Sequence, residues 1–360
     1  MKKILTVVGA RPQFIKAATV SRALLSRGDI SEAILHTGQH FDANMSDVFF
    51  SELDIPFPKH NLGIGGGTHG KNTGQMLVAI EQVLLGEAPD LLLVYGDTDS
   101  TLAGALAAAK LHVPVVHVEA GLRSFNRAMP EELNRVLTDH LSSLLFTPTA
   151  TAVENLRREG IQGANVVSVG DVMLDAAKYY GAKASQCSRI IETMGLNSGD
   201  YVLATIHRQE NTDNKDRLSA ILHGLAASSS PVIWPMHPRA AKRISEFSLV
   251  LPPNVRKIEP VGYLDMVMLE KSARVIATDS GGVQKEAFFH RVPCVTLREE
   301  TEWVELLACG ANRLVGVDNE LIAKALSGAF DSPDFYPTLF GEGNAASKIV
   351  DSICNWFALS

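Results

Sequence analysis

Short, continuously apolar runs alternate with helix-period segments along almost the whole chain, and this alternation constrains the fold more than any other feature. The runs are "ILTVV", "EAILHT", "DLLLVYG", "VPVVHVE", "LLFT" and "NVVSVG". Beyond residue 198 come "YVLATI", "PVIWPM", "VRKIEP", "RVIATD", "PCVTL" and "RLVG". Between them lie amphipathic stretches such as "PQFIKAATVSRALLSRG" and "LAGALAAAKL". A strand that is apolar on both sides must be covered on both sides, so the pattern predicts parallel sheets held between layers of helices. The pattern occurs twice, with the polar interval "AKASQCSRIIETMGLNSGD" (182–200) between the halves. A chain of 360 residues exceeds the usual domain of about 100–200 residues. Two doubly wound α/β domains are therefore expected, over 1–170 and 171–343. The tail "AASKIVDSICNWFAL", within 344–360, reads as an amphipathic helix able to pack on either.

A net charge of −7 gives no support to a nucleic-acid or anionic-membrane partner. Any anion must be held by a local cluster of basic groups and backbone N–H groups. The opening "MKKILTVVGARPQF" reads as a buried first strand rather than an export signal, because its apolar run is short and no small-residue cleavage site follows. No stretch approaches the roughly 18–20 apolar residues of a membrane span. The four cysteines (Cys187, Cys294, Cys309, Cys354) lie far apart without metal-ligand spacing, as expected for reduced, mostly buried thiols of a cytoplasmic protein. No metal site is expected.

In open α/β sheets ligands gather beyond the carboxyl ends of the strands, so residues just after the apolar runs carry the functional weight. "VIATDSGGVQKEAFFHRVPCVTL" (275–297) ends a strand at Asp279 and opens a helix with Ser280, Gly281 and Gly282. That arrangement suits a phosphate at a helix N-terminus, with Glu286 placed to accept from ribose hydroxyls. The same residues serve equally well as a plain helix cap. "VVGARPQFIKAA" sets Arg11 and Lys16 around the first strand-to-helix turn, where Arg11 can clamp a pyrophosphate. The dinucleotide fingerprint G-x-G-x-x-G is absent, which counts against a bound dinucleotide. "GIGGGTHG" (63–70) reads as a surface loop between helices.

"LVYGDTDSTLAGALAA" places Asp97 at a strand end, and "HVEAGLRSFNRAMPEELNR" (117–135) gathers Glu119, Glu131 and Glu132 with Arg123, Arg127 and Arg135. "VLATIHRQEN" ends a strand with His207 and Arg208, and "WPMHPR" adds His237 at the next. Phosphate-binding groups together with several carboxylates point to a nucleotide-sugar enzyme without naming its reaction.

With "GARPQFIKAA", "TGQHFD", "VYGDTDSTLAGALAA", "HVEAGLRS" with "MPEELNR", "ATIHRQEN", "TDSGGVQKEA" and "GANRLVG" in order, the chain resembles the non-hydrolysing UDP-N-acetylglucosamine 2-epimerases along nearly its whole length. The resemblance implies the glycosyltransferase-B architecture: two Rossmann-like domains facing across a cleft, with the C-terminal helix returning to the first. It implies inversion of C2 by elimination and re-addition of UDP through a glycal, with no cofactor. Motif by motif, it implies acid/base roles for Asp97, Glu119 and Glu131 and a catalytic His207. UDP contacts fall to Arg11, Lys16, Ser280, Gly281, Gly282 and Glu286. Sugar contacts fall to Gln39, His40, Arg123, Arg208, His237 and Arg313. A homodimer is implied as well.

The variants "GARPQF", "GGGTHG", "SFNRAMPEE" and "LREETEWVE" look more like the branch acting on UDP-2,3-diacetamido-2,3-dideoxy-glucuronate, whose product serves lipopolysaccharide O antigen. Its C6 carboxylate wants an additional cation, and Arg123, Arg127 or His69 is available. A retaining UDP-sugar glycosyltransferase and a non-catalytic sugar-nucleotide sensor are the competing readings.

Overall fold

The computed structural model describes residues 1–39, 53–328, 330, 333–335 and 338–359. The chain forms two compact units, Met1–Ala176 with Pro337–Ser360, and Ala177–Tyr336.

The first unit runs β1 (Lys2–Val8), α1 (Arg11–Leu25), β2 (Ile30–His36), β3 (His60–Asn61), α2 (His69–Glu87) and β4 (Leu91–Tyr95). It continues α3 (Asp99–Lys110), β5 (Val115–Val118), α4 (Pro130–Leu141), β6 (Leu144–Thr147), α5 (Ala150–Arg158) and β7 (Val166–Ser168). Helix α6 (Val172–Cys187) contains the boundary between the units, at Ala176–Ala177.

The second unit runs α7 (Ile190–Thr193), β8 (Val202–Thr205), α8 (Gln209–Thr212), α9 (Lys215–Ala226), β9 (Val232–Pro235) and α10 (Pro238–Glu246). Then come β10 (Val255–Ile258), α11 (Tyr263–Ser272), β11 (Val275–Thr278), α12 (Gly281–Phe289), β12 (Cys294–Thr296), α13 (Val304–Ala308), β13 (Asn312–Leu314) and α14 (Asn319–Ser327). The final helix, α15 (Ala345–Leu359), belongs to the first unit and packs on α1. Its first turn is anchored by Asp175, whose carboxylate accepts from the N–H of Ala345 (3.1 Å) and Ala346 (2.8 Å), an anion set against a helix N-terminus.

Both sheets are wholly parallel. The first has the order β3-β2-β1-β4-β5-β6-β7 and the second β10-β9-β8-β11-β12-β13. Each therefore reverses its winding once, between β1 and β4 and between β8 and β11, and at such a reversal the loops diverge to leave a crevice at the carboxyl edge. Strand alternation explains the double covering. In the second unit Val202 and Ala204 face a core with Leu218, Ile221 and Ile322, whereas Leu203 between them joins Ile276, Leu269 and Ala287 on the opposite face.

The twelve apolar runs all appear as strands. The short β3 was missed, because two residues that pair only with the end of β2 leave no hydrophobic pattern. The glycine-rich stretch after it is an exposed loop, as expected, but it follows a strand rather than a helix. Among the described residues no helix is long and apolar enough to cross a membrane. The four cysteines are free thiols, but against expectation only Cys294 is buried: Cys187 is exposed and Cys309 and Cys354 are half-buried.

Candidate active site

In the first unit Asp97 and Glu119 stand just after β4 and β5, and the first turn of α4 carries Glu131 and Glu132. Asp97 follows β4, and Arg135 on α4 grips it from Nε (3.1 Å) and from Nη2 in a short contact. The remaining arm of Arg135, Nη1, donates to Glu132 at 2.9 Å. Glu132 also accepts from the N–H groups of Ser124 and Phe125, both at 2.9 Å. Glu132 thus ties the loop after β5 to α4. Glu131, beside it in the first turn of α4, is half-buried and makes no hydrogen bond or ion pair among the described residues.

Glu119 closes β5 in a left-handed backbone conformation, φ 73°, which costs a non-glycine residue roughly 1–2 kcal/mol. Two neighbouring bonds support the turn: the N–H groups of Glu119 and Ala120 both donate to the Phe146 carbonyl, at 3.1 and 3.0 Å. Its carboxylate lies 2.7 Å from Lys16 Nζ, and both side chains are at most 10% exposed. Lys16 was expected among the UDP contacts; here it neutralises Glu119. Gly96 makes room for this pair, since a Cβ at that position would stand 3.1 Å from Lys16 Nζ, and its φ of 61° suits glycine.

Sequence reading missed His117, Asn134 and the task of Asp139. His117 is fully buried, with Nδ1 2.7 Å from Asp139 and Nε2 2.7 Å from the Gly96 carbonyl. It links the end of β4 to α4. Asp139 also accepts from the Gly121 N–H (3.1 Å) and from Arg123 Nη1 (2.7 Å). Burial pushes the Asp139 carboxyl up, but His117 and Arg123 outweigh it and hold it below the usual carboxylate range. Arg123, expected to meet the sugar, has its guanidinium enclosed and bound to Asp139, Glu159 and its own neighbour's carbonyl. The structure gives it a scaffolding task instead. Gln39 accepts from the N–H and Oγ of Ser100 at the start of α3, at 3.0 and 2.6 Å. Arg11 is the first residue of α1. His40 lies outside the described residues.

In the second unit the organiser is Asp279, fully buried after β11. It accepts from the backbone N–H of His207 (3.1 Å) and Arg208 (3.1 Å) and from Asn211 Nδ2 (3.1 Å). His207 Nδ1 stands 3.5 Å away, and its ring is about half exposed. Ser280 caps α12 by accepting from the Val283 N–H. The two glycines differ: a Cβ on Gly281 would collide with Glu302, which Arg298 Nη1 holds at 3.0 Å, whereas one on Gly282 meets nothing nearer than Ser280 Oγ at 3.8 Å. Gly282 therefore leaves the helix start open to a ligand. Glu286 is buried in the second turn of α12. His237 caps α10, its Nδ1 accepting from the Arg239 N–H at 3.2 Å. Arg313 lies within β13 and stacks over Phe330 at 4.1 Å.

One unit thus presents fixed carboxylates suited to moving protons, and the other a histidine loop and a helix start suited to a phosphate. The model of the UDP-N-acetylglucosamine 2-epimerase family matches residues 22–354. The chain belongs to the UDP-N-acetylglucosamine 2-epimerase family.

This 2-epimerase is 52% identical over 358 residues, 97% of its length and 98% of the relative's, to the UDP-2,3-diacetamido-2,3-dideoxy-D-glucuronate 2-epimerase of Pseudomonas aeruginosa. It is 47% identical over 358 residues to the UDP-N-acetylglucosamine 2-epimerase of Methanocaldococcus jannaschii, with 97% and 98% covered. Among solved structures it is similar to the Methanocaldococcus jannaschii UDP-GlcNAc 2-epimerase in complex with UDP-GlcNAc and UDP. That match has a TM-score of 0.90 and 45% identity, and covers 98% and 99% of the two chains. The Neisseria meningitidis enzyme bound to UDP-GlcNAc matches at 0.89 and 32%, covering 98% and 100%. The fold of this chain is glycosyltransferase-B-like, and the chain is an isomerase, a UDP-sugar 2-epimerase.

Proposed function

We propose that this enzyme inverts C2 of UDP-2,3-diacetamido-2,3-dideoxy-glucuronate, giving the manno epimer. The observation that carries the choice of sugar is the 52% identity, over 97% of the chain, to a relative that bears this activity in its name. UDP-N-acetylglucosamine is the second substrate reading, favoured by the 47% identity to the Methanocaldococcus jannaschii enzyme.

The hydrogen on C2 is not adjacent to a carbonyl, so a base alone does not remove it. When the C1–O bond breaks and UDP leaves with the electron pair, C1 becomes cation-like and the C2 hydrogen acidic. A carboxylate takes that proton and the C1–C2 double bond of a glycal forms. Delivery of a proton to the opposite face and return of UDP to C1 complete the inversion, with no net oxidation or reduction. Asp97, Glu119 and Glu131 are the acid/base carboxylates in this reading. Arg135 and Lys16, paired with the first two, hold them in place. His207, Arg208, Arg11, Ser280, Gly282 and Glu286 hold the UDP, which must be retained while it is detached.

The product is read as a donor for surface polysaccharide of the O-antigen type, made in the cytoplasm. A homodimer is supported by Leu133, Leu137 and Phe125, large apolar side chains 42–71% exposed in the first unit. The test is proton NMR in D₂O with each sugar nucleotide. Loss of the C2 hydrogen with appearance of the manno epimer from the diacetamido-uronate is expected. Exchange only in UDP-N-acetylglucosamine would transfer the assignment to that sugar.

A further inference from the structure

We propose that His69 selects a sugar bearing a carboxylate at C6, and that Asp99 aims it; this rests on the substrate reading above. His69 opens α2 directly after the exposed glycine-rich loop, with its side chain 67% exposed. Its Nδ1 lies 2.9 Å from Asp99 Oδ2, on a side chain only 5% exposed. A buried carboxylate accepts only, so Nδ1 carries the hydrogen and the ring orientation is set. Nε2 makes no hydrogen bond among the described residues.

The pair is tied to the proposed acid/base group. Asp99 stands two residues after Asp97 at the end of β4, and one amide holds both: Asn134 Nδ2 donates to the Asp97 carbonyl (3.0 Å) and to Asp99 Oδ1 (3.2 Å). Three basic groups beside these acids are enclosed and engaged, Lys16 by Glu119, Arg135 by Asp97 and Glu132, and Arg123 by Asp139 and Glu159. Arg127 is exposed, but nothing among the described residues orients it. His69 combines exposure with a fixed direction. Held at Nδ1 by Asp99, the ring turns its second nitrogen to a sugar carboxylate, which supplies the counter-charge for a donor at Nε2. An uncharged hydroxymethyl at C6 offers no such counter-charge, so the contact favours the uronate alone.

The experiment compares kcat/KM for UDP-2,3-diacetamido-2,3-dideoxy-glucuronate and for UDP-N-acetylglucosamine, by C2 exchange, in the wild type, His69→Gln, Asp99→Asn and Arg127→Ala. His69→Gln is expected to lower the ratio of uronate to N-acetylglucosamine by about tenfold or more, the worth of one charge-assisted hydrogen bond, chiefly through KM for the uronate. Asp99→Asn is expected to shift the ratio the same way by a smaller factor, and Arg127→Ala to retain it. The uronate KM of the wild type should rise with salt more steeply than that of His69→Gln. An unchanged ratio in His69→Gln, an equal loss on both sugars, or a loss carried by Arg127→Ala overturns the proposal. A wild type that never exchanges C2 of the uronate overturns the substrate reading, and the proposal with it.

Discussion

Lys16 Nζ and Glu119 Oε1 lie 2.7 Å apart in a pocket that leaves neither side chain more than 10% exposed. Removing one partner of such a pair leaves a buried charge uncompensated, at a cost of roughly 3–5 kcal/mol. Lys16→Met and Glu119→Gln singly should each lower the melting temperature sharply. The double variant should recover most of that loss without regaining epimerase turnover. If the double variant melts as low as the sum of the singles, the two side chains are not coupled.

Arg135 holds Asp97 with two nitrogens and Glu132 with the third. Lysine cannot reproduce that planar fork. Arg135→Lys should reduce kcat by about tenfold or more while altering KM little, because the lost hold concerns the direction of a proton-transfer group. Asp97→Asn should fall further, by about two to four orders of magnitude. Single-turnover C2 exchange in D₂O reads both, and near-wild-type exchange in Asp97→Asn would remove Asp97 from the chemistry.

Gly281 and Gly282 are neighbours with opposite constraints. An alanine at 281 must displace Glu302 and disturb its pairing with Arg298, whereas one at 282 finds open space. Gly281→Ala should therefore lower thermal stability. Gly282→Ala should leave the melting temperature of the free protein near wild type and weaken UDP binding, read by calorimetry. Unweakened UDP binding in Gly282→Ala would mean that the phosphate does not approach this backbone.

Two buried groups make the protein acid-sensitive, with the same sign. Burial, assisted by Lys271, depresses His290 from 6.5 to about 4, and the Glu270 carboxylate, 4.0 Å away, is too distant to hydrogen-bond the ring. A depressed histidine contributes stability that is complete above pH 6.5 and is lost as pH falls toward 4, about 3 kcal/mol in all. Asp139, also depressed, contributes stability present above the ordinary aspartate range and lost as pH falls below it. The melting temperature should thus fall in two stages on acidification. His290→Leu should flatten the upper stage and Asp139→Asn the lower. A His290→Leu protein that still loses stability between pH 6.5 and 4 would place the upper stage elsewhere.

The sequence by itself determined the α/β class and the positions of the twelve apolar strands, because burial on both faces imposes a local run of branched and apolar residues. It also set Asp97, Glu119, His207 and Ser280 just after strands, where chain direction alone carries them to a sheet's carboxyl edge. Tertiary structure alone decided what surrounds those groups. Lys16 meets Glu119 across 103 residues, Arg135 meets Asp97 across 38 and His207 meets Asp279 across 72, separations that no local pattern encodes. The same reason explains Arg123 and His69. Both read as available cations in the chain, but folding encloses the first between Asp139 and Glu159 and leaves the second exposed on Asp99. Charge is written in the sequence; whether a charge is spent on the scaffold or offered to a ligand depends on which distant carboxylate the fold sets beside it.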